Sequence, residues 1–519
     1  MNRNTILHGT FVLTISGIIV RFLGFVYRIL LSRATGSEGM GLIQLVMPVL
    51  FTSLALVSAG IPMAVSRLIS EKNAINDYTG MRRVVFTAIG LVITLSLIVC
   101  LLLILKVNYI TYNILKEPRV RGALLTIYPA IVMMSISSVF KGYFYGIKNF
   151  LPPSISEIIE ELVTIILLFF ILNKVNHLDI SIKVTIVAFN IVISELFSLL
   201  YLNYSYYKSK DKDPISYSNS KVSSSFPLTN ILKISTPITL VRLMSSLGSS
   251  VSSILIPQSL VKSGLDQNQA VSLLGILNGM VMPLLFLPFT FVGSLAVVMI
   301  PNLSEDLARK NWNSIRSKIS KAIFITSTLA LPFGALMTAL AKPIGILLYN
   351  QEEVASLLQP ISFISGFYAL SHTLSASLNG LGKQNKTAMY AILGETIDLL
   401  SIFFLVAIPS LRIHGYIIGF LFSTLLVLAL QLITLYKAIN LRILWSHWFF
   451  KPIFAALLTA SVARLTFLWL SSLGCTLLIS FLISTTIGIL IYILTLYATG
   501  SLAFIRNIIF PTVTRKSKG

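Results

Sequence analysis

Fourteen apolar runs of about 20 residues or more follow one another along nearly the whole chain. A helix needs about 20 mostly apolar residues to cross the roughly 30 Å hydrocarbon core of a bilayer. Backbone groups in lipid must be hydrogen-bonded within their own segment, so runs of this length predict helices. The runs lie near residues 6–31, 42–69, 84–105, 122–146, 153–172, 182–204, 231–257, 271–300, 320–346, 355–381, 387–408, 413–436, 452–472 and 475–498. The sequence therefore predicts an all-α polytopic inner-membrane protein with about 14 transmembrane helices.

Charged residues are scarce, at 11% of the chain against about 25% in an ordinary soluble domain. This deficit excludes a soluble enzyme, a disordered chain and a coiled coil. The first apolar run contains Arg21 and is too long for a cleaved signal peptide, so we expect it to remain a membrane helix. The two cysteines and five histidines are scattered without ligand spacing, and we expect neither a metal nor a cofactor.

The basic residues of the connecting segments are distributed unevenly. If the N-terminus is cytoplasmic, 26 of the 40 lysines and arginines fall on the inner side, ten on the outer side and four within the runs. An excess of lysine and arginine in short loops marks the cytoplasmic side of a membrane protein. We therefore expect a multi-pass protein of the cytoplasmic membrane with both termini in the cytoplasm. The net charge of +22 then reflects topology and contact with anionic membrane lipids rather than a nucleic acid partner.

Four short motifs recur at a nearly constant offset, which indicates an internal repeat. The equivalent motifs are Met47–Phe51 and Met282–Phe286 at an offset of 235, Ser70-Glu71 and Ser304-Glu305 at 234, Gly146 and Gly380 at 234, and Glu157-x-x-Glu160 and Glu395-x-x-Asp398 at 238. Six spans separate equivalent helices, so the repeats are parallel in the membrane. The sequence therefore predicts two pseudo-symmetric six-helix bundles followed by two C-terminal helices.

The repeat divides the chain into four predicted segments. They are an N-terminal six-helix lobe at 1–204, a cytoplasmic linker at 205–230, a C-terminal six-helix lobe at 231–440, and two additional transmembrane helices with a basic cytoplasmic tail at 441–519. The linker is rich in Ser, Lys, Tyr and Asn and is expected to be flexible. Two such bundles can rock against each other around a central cavity, which is the architecture of an alternating-access transporter.

Four arginines, namely Arg21, Arg28, Arg242 and Arg464, lie within the apolar runs, where an ionisable group is a hypothesis of function. Arg21 stands about fifteen residues into the first run, too deep to reach either surface easily, and Arg28 follows on the same helix face. Arg21, Arg28 and Arg242 are therefore predicted to line the central cavity and bind the phosphate oxygens of an anionic substrate. The alternative is that the arginines pair with intramembrane carboxylates, chiefly Glu157, Glu160, Glu161, Glu195, Glu395 and Asp398.

The repeated carboxylates are predicted to serve ion coupling or charge pairing. Glu157 and Glu160 follow Pro152-Pro153 in the first turns of a helix, where a carboxylate favours the helix dipole. Glu395 and Asp398 lie well inside their span and are harder to explain in that way. We expect a coupling ion, H⁺ or Na⁺, or the membrane potential to drive transport.

Two equivalent runs carry prolines in mid-membrane, Pro48 and Pro62 in the second run and Pro283 and Pro288 in the eighth. Proline removes a helical hydrogen bond and bends the helix, so these positions are predicted to be gating bends. Packing kinks without a function are the alternative.

The sequence contains no phosphate-binding P-loop, no nucleophile elbow and no zinc motif. This disfavours an ATPase or a hydrolase of a soluble type, and we expect that the protein is not an enzyme.

Five motifs carry a resemblance to a known family. They are residues 17–28 (GIIVRFLGFVYR), 34–41 (ATGSEGMG), 60–67 (GIPMAVSR), 143–160 with its YFYG and EIIE segments, and 378–383 (LNGLGK). The motifs resemble those of the stage V sporulation protein B family and the related lipid II flippases, within the multidrug/oligosaccharidyl-lipid/polysaccharide (MOP) flippase superfamily. The similarity covers essentially the whole chain.

This resemblance implies a flippase that moves a polyprenyl-pyrophosphate-linked sugar by alternating access, most simply lipid II for the peptidoglycan of the spore cortex. In the lipid II flippases, cationic residues of the first helix line the central cavity, and Arg21 matches the first of these. Tyr27 stands where a second arginine is expected, and Arg28 follows one residue later, which favours the sporulation branch. The expected partners are lipid II or another lipid-linked oligosaccharide and membrane lipids, with cell-wall synthesis proteins as candidates, and the expected state is a monomer.

Two other functions are compatible with the same residues. A multidrug cation antiporter of this fold needs a carboxylate-rich cavity, and Arg21 and Arg242 would repel its substrates. A non-transporting scaffold of cell-wall synthesis would tolerate neutralisation of the intramembrane charges.

Overall fold

The structure, a computed structural model, describes residues 3–175, 177–210, 227–441 and 444–501, and these residues contain helices and turns but no β-strand. The first eight α-helices are α1 (Arg3–Ser58), α2 (Ile61–Ala74), α3 (Tyr78–Tyr109), α4 (Arg121–Gly146), α5 (Leu151–Val175), α6 (Ile180–Lys210), α7 (Pro227–Lys262) and α8 (Gln267–Leu274). The others are α9 (Met282–Leu285), α10 (Phe289–Ala308), α11 (Trp312–Ala339), α12 (Ala341–Ile344), α13 (Val354–Gly380), α14 (Gln384–Phe404), α15 (Ile413–Ile439), α16 (Lys451–Ser472) and α17 (Leu477–Ala498). The all-α fold predicted from the apolar runs is confirmed.

Twelve helical stretches in the described part of the chain are long and apolar enough to cross a membrane. One of them, Val12–Ala74, contains both of the first two predicted runs, because the helix continues through a bend. The run predicted at 153–172 falls on α5, which contains three glutamates and is not among the twelve. The prediction of about 14 spans therefore remains a prediction.

The bend in α1 lies at Gly36, whose φ of 70° and ψ of −176° are not helical. A side chain at this φ would be strained, whereas glycine adopts it freely. The bend separates two arms of α1 at the position where the sequence predicts the loop between the first and second spans.

The described residues divide into two compact units. Unit 1 lies within Met1–Val261 and Leu265–Gly279, and unit 2 lies within Lys262–Gly264 and Met280–Gly519. Helices α7 and α8 thus pack with the first six helices, and the boundary between the units falls near residue 280 rather than at the proposed linker. Most of that linker (residues 211–226) and the basic tail beyond residue 501 lie outside the described residues. The predicted lobe boundaries, which were drawn from the sequence repeat, remain predictions.

Small residues set the helix spacing in unit 1. A Cβ added to Gly142 of α4 would lie 2.8 Å from the carbonyl oxygen of Pro62, and one added to Gly146 would lie 2.8 Å from that of Ser66. Close approach at small residues is the usual way in which membrane helices gain van der Waals contact. The glycines therefore hold the end of α4 directly against α2.

Unit 2 is built around α11, α13 and α15, and the two C-terminal helices pack against it. Residues Leu331, Ala455, Ala456, Tyr492 and Leu496 of α11, α16 and α17 form a buried cluster. The Tyr492 hydroxyl donates to the carbonyl oxygen of Thr328 at 2.8 Å. The additional helices are thus integral to this unit.

The internal repeat recurs in the backbone at the offset of 234. Three pairs of residues with positive φ are separated by this number, namely Asn76 and Lys310, Lys116 and Asn350, and Lys148 and Gly382. Helices α3 and α11 also have equivalent N-caps, because the side chain of Asp77 accepts from the Gly80 N–H and that of Asn311 accepts from the Ser314 N–H. The two halves therefore share turn geometry as well as sequence motifs.

Candidate functional site

Arg21 and Arg28 lie exposed on the first arm of α1. Within the described part of the chain, Arg21 has no hydrogen bond and no carboxylate within ion-pair distance. Arg28 lies in the electrostatic field of Glu161 on α5, without a direct ion pair. Gly24 provides the space for that glutamate, since an added Cβ would lie 3.3 Å from Glu161 Oε1. Among the described residues, Arg28 therefore has a carboxylate in its vicinity, whereas Arg21 has none and is available to an external anion.

Arg242 of α7 lines a cavity of about 750 Å³ in unit 1, together with Arg67 of α2 and Lys148 at the end of α4. We call this cavity the basic pocket. Gly60 brings α7 to the start of α2, where its N–H donates to Thr239 Oγ1 at 3.2 Å, one turn before Arg242. Neither Arg21 nor Arg28 lines this cavity. The structure thus places Arg242 in this cavity without Arg21 and Arg28, and the roles of the three arginines in binding remain predictions.

The basic pocket has more cations than carboxylates. Arg67 Nε donates to Glu71 Oε1 at 3.0 Å, and both side chains are largely exposed. Among the described residues, Lys148 and Arg242 have no carboxylate partner. The pocket thus has two uncompensated cationic side chains, beside the hydroxyl-bearing residues Ser66, Ser70 and Tyr145.

Glu157 and Glu160 belong to a charge cluster formed by α4, α5 and α6. Lys141 Nζ lies 3.2 Å from Glu157 Oε1 and also interacts with Glu160 and Glu195. The hydroxyl of Ser137 donates to Glu195 Oε1 at 2.6 Å. We call Lys141, Glu157, Glu160 and Glu195 the α4–α6 cluster, in which one ammonium group faces three carboxylates.

Glu395 and Asp398 line a second cavity, of about 270 Å³, within unit 2. The Ser423 hydroxyl of α15 donates to Asp398 Oδ1 at 2.6 Å. Tyr368, His372 and Gln431 also contribute polar groups to the lining, and we call this cavity the acidic pocket. No group of three or more metal-ligating side chains occurs among the residues that the structure describes. The role of Glu395 and Asp398 in ion coupling or charge pairing remains a prediction.

The four prolines occupy different positions in their helices. Pro48 lies inside α1, whereas Pro62 follows the break between α1 and α2. Pro283 follows the π-helical segment Gly275–Val281, and Pro288 caps α10 after a turn. Three of these prolines thus stand at interruptions of a helix, and their role as gating bends remains a prediction.

Arg67 and Lys148 were assigned by sequence reasoning only to the cytoplasmic ends of helices, where they set topology. The repeat contains a signal that distinguishes them. At the offset of 234, Arg67 corresponds to Pro301 and Lys148 to Gly382, whereas Ser70 and Glu71 correspond to the same residue types. Two of the three cations that line the basic pocket, Arg67 and Lys148, therefore have no cationic counterpart at the equivalent positions of the second half.

Comparison with known families and structures agrees with this architecture. A family model described as "Polysaccharide biosynthesis protein" matches residues 6–306, and a model described as "MatE" matches residues 237–406. The first match covers more than half of the chain, so the chain belongs to this polysaccharide biosynthesis protein family.

Curated relatives match most of the chain. Stage V sporulation protein B of Bacillus subtilis (strain 168) is 27% identical over 444 residues, which cover 85% of this chain and 86% of the relative. Lipid II flippase MurJ of the same organism is 24% identical over 417 residues, which cover 76% of each chain. The resemblance drawn from the motifs of the first helices is thus confirmed.

Solved structures share the fold. Lipid II flippase MurJ in an inward closed conformation superposes with a TM-score of 0.70 at 17% identity, covering 95% of this chain and 99% of that one. An inward-facing multidrug resistance MATE family transporter of the MOP superfamily gives a TM-score of 0.65 at 15% identity, covering 81% of this chain and 94% of that one. The chain therefore has the fold of these transporters, and its twelve apolar helical stretches mark it as a multi-pass membrane protein.

Proposed function

We propose that the protein is a flippase that moves a polyprenyl-pyrophosphate-linked sugar precursor across the cytoplasmic membrane. The observation that carries this proposal is Arg21, an arginine inside an apolar helix for which the described residues provide no carboxylate. An unpaired cation at membrane depth is unfavourable unless it faces water or an anionic ligand. The guanidinium group binds phosphate oxygens through two parallel hydrogen bonds, so a pyrophosphate group is a well-matched ligand.

The substrate that we propose is lipid II or a closely related lipid-linked sugar. The relatives named stage V sporulation protein B and lipid II flippase MurJ support this substrate class. The likeness to the sporulation protein further supports a role in spore cortex peptidoglycan. In this proposal both termini are cytoplasmic, the head group binds from that side, and the lipid tail stays in the bilayer. The protein acts as a monomer beside the enzymes of cell-wall synthesis.

Transport in this proposal follows alternating access and needs a driving force other than ATP. Glu395 and Asp398 of the acidic pocket are the proposed coupling residues, and H⁺ or Na⁺ is the proposed ion. The membrane potential is the alternative source, since moving one charge through 100 mV is worth about 2.3 kcal/mol. The bends at Pro62 and Pro288 would then absorb the change in helix direction.

Translocation of fluorescent lipid II in reconstituted vesicles tests the proposal. Arg21→Gln removes the charge but retains hydrogen-bonding capacity, and we expect the initial rate to fall about tenfold or more, as for loss of a charged hydrogen bond. Arg464→Gln on α16 is the matched control, because it also neutralises an arginine of an apolar helix, and its rate should stay within about twofold. Equal rates for Arg21→Gln and the unaltered protein would refute the proposed role of Arg21.

A multidrug cation antiporter is the second candidate, favoured by the acidic pocket and by the match of the MatE family model to the residues that form much of it. This function predicts that expression confers resistance to cationic dyes and that Asp398→Asn abolishes the resistance. A flippase predicts instead complementation of a flippase-deficient strain without a change in dye resistance.

A further inference from the structure

The basic pocket is a cationic cavity that Arg21 and Arg28 of α1 do not line. It is distinct from Arg21 and Arg28, it lies where α2 and α4 end, and its cations come from three helices. Its volume of about 750 Å³ falls within the roughly 300–1,000 Å³ of small-molecule sites.

We propose that Arg67, Lys148 and Arg242 form a phosphate-binding site that receives a lipid-borne phosphate group before or apart from contact with Arg21. The proposal rests on the flippase function proposed above, and it specifies a first docking position for the head group. The shared chemistry is an anionic phosphate group esterified to a lipid, and its source is either an isoprenoid pyrophosphate or an anionic phospholipid.

Charge is the first support for this site. Glu71 compensates Arg67, whereas the described residues leave Lys148 and Arg242 without a carboxylate. A pyrophosphate diester carries one negative charge on each phosphate, which matches these two cations. The side chains of the three cations are exposed on the protein surface, so a ligand has access to them.

The backbone of Lys148 is the second, independent support. Lys148 has a φ of 60°, and the equivalent residue of the second half, Gly382, has a φ of 72°. The turns are closed by equivalent hydrogen bonds of 2.9 Å, from Asn149 N–H to Phe144 O and from Lys383 N–H to Leu378 O. Glycine adopts this left-handed conformation freely, whereas lysine is strained there. Folding alone therefore favours glycine at position 148. Lys116 and Lys310 also have positive φ, and what distinguishes Lys148 from them is that its side chain lines the basic pocket.

The equivalent turn in the second half of the chain, at Gly382, lacks the cations of the basic pocket. Its lysine, Lys383, stands one residue later, at a φ of −102°, and Pro301 replaces the counterpart of Arg67. The repeat thus keeps the serine–glutamate pair and the glycine needed for packing, but not the cations. The cations at positions 67 and 148 therefore follow from binding rather than from the shared fold of the two halves.

The test measures binding, which does not require transport. The purified full-length protein is placed in phosphatidylcholine nanodiscs and titrated with farnesyl pyrophosphate as the probe. We expect Lys148→Gly to weaken the affinity about tenfold, as expected for the loss of one charged hydrogen bond. Arg242→Gln should have a similar effect, and Lys148→Arg should remain within about twofold of the unaltered protein.

Two controls separate binding from folding. Lys148→Gly places at this turn the residue that its equivalent already has, so the variant should fold and melt no lower than the unaltered protein. Lys310→Gly removes another lysine of positive φ, at the end of α10 and outside the pocket, and should leave the affinity unchanged. Equal affinities for Lys148→Gly, Arg242→Gln and the unaltered protein would overturn the proposal.

A second arm identifies the source of the phosphate. If the site takes the isoprenoid pyrophosphate, replacing part of the phosphatidylcholine by phosphatidylglycerol should leave probe binding nearly unchanged. If the site takes a phospholipid, phosphatidylglycerol should compete with the probe, and Lys148→Gly should remove that competition. Either outcome, the pyrophosphate or the phospholipid, supports a phosphate-binding site. Lys148-dependent binding without lipid II translocation would refute the flippase function alone, whereas normal translocation with Lys148-independent binding would refute this site alone.

Discussion

Gly41 of α1 and Gly275 at the end of α8 are equivalent residues of the two repeats, and each lies against the backbone of the other's helix. A Cβ on Gly41 would overlap the carbonyl oxygen of Val271, and a Cβ on Gly275 would overlap that of Ser37. Ser37 and Val271 are themselves separated by the repeat offset of 234. The hydroxyl of Ser272 donates to Ser37 Oγ at 2.6 Å beside this crossing. The two helices therefore meet at a local two-fold relationship that permits no side chain at either glycine.

The crossing predicts that Gly41→Ala and Gly275→Ala are both destabilising, and to a similar extent. Because the added methyl group meets backbone rather than a mobile side chain, we expect a loss of about 3 kcal/mol or more in each case. The measurement is the apparent Tm of the purified variants in detergent. Gly90→Ala in α3 is the control, since nothing lies within 4 Å of its added Cβ, and it should be neutral or stabilising by roughly 0.5–1 kcal/mol. A stable Gly41→Ala variant would show that the helices separate easily at this point.

Arg119 joins two carboxylates near the same end of unit 1. Its Nε and Nη2 donate to the two oxygens of Glu117 at 2.7 and 2.9 Å, and its Nη1 donates to Glu38 at 2.5 Å. The Glu117 side chain is only 2% exposed, so removing its partner leaves a buried charge. We expect Arg119→Gln to lower the free energy of unfolding by about 3–5 kcal/mol.

The matched control for this change is Arg121→Gln. Arg121 is exposed and donates to the neutral side chain of Asn108, so the loss should be at most about 0.5 kcal/mol. The melting temperatures of the Arg119→Gln and Arg121→Gln variants should be measured at low and high salt and compared with that of the unaltered protein. Equal melting temperatures would show that the buried carboxylate of Glu117 does not need Arg119.

Lys141 should be less tolerant of neutralisation than its partner Glu157. Lys141→Met leaves the three carboxylates of the α4–α6 cluster without a cation, whereas Glu157→Gln lowers the excess negative charge. We expect Lys141→Met to destabilise the protein by about 2–4 kcal/mol and Glu157→Gln by less than about 1 kcal/mol. In the double variant, Glu157→Gln should recover part of the loss, as a double-mutant cycle would measure. The reverse order of the two single effects would contradict the charge balance described here.

The carboxylate of Asp77 should make the stability of the folded protein depend on pH. Partial burial alone would raise its pKa, but hydrogen bonds from Lys72, the Gly80 N–H and Thr79 lower the pKa below its ordinary value. The carboxylate therefore contributes stability above the unfolded-state pKa of about 4, and this contribution is lost as the pH falls through the lowered pKa of the folded state.

Two substitutions separate the cap of α3 from the charge. Asp77→Ala removes the N-cap and should cost about 1 kcal/mol at pH 7. Asp77→Asn installs the residue that caps α11 at the equivalent position Asn311, so it should cost less and should flatten the stability profile between about pH 2 and 5. Melting curves across that range test both expectations, and an unchanged profile for Asp77→Asn would exclude a role for the ion pair with Lys72.

Many of the charged residues of the candidate sites could be predicted from the sequence, but which of them lie together in one pocket or cluster could not. The position of Arg21 within an apolar run identified it from sequence, and the acidic motif at Glu395 and Asp398 was found through the repeat. The basic pocket was missed because Arg67 and Lys148 resemble ordinary topology-setting residues of loops. The α4–α6 cluster was missed for the same reason, since Lys141 was counted with the cytoplasmic flank rather than as a partner of Glu157.

The sequence by itself determined the class of the molecule. The thickness of a bilayer fixes the length of an apolar run, and the need to pair backbone groups in lipid fixes the helix, so local composition is sufficient for both. The constant offset between equivalent motifs likewise establishes the duplication without coordinates. These properties depend on neighbours along the chain.

The tertiary structure decided which charges share a surface. Arg67, Lys148 and Arg242 meet only because Gly60, Gly142 and Gly146 let α2, α4 and α7 approach closely. Such approaches depend on the packing of helices far apart in sequence, and a run of apolar residues contains no information about them. Arg242 lines this pocket without the α1 arginines, and the common site predicted for the three remains a prediction.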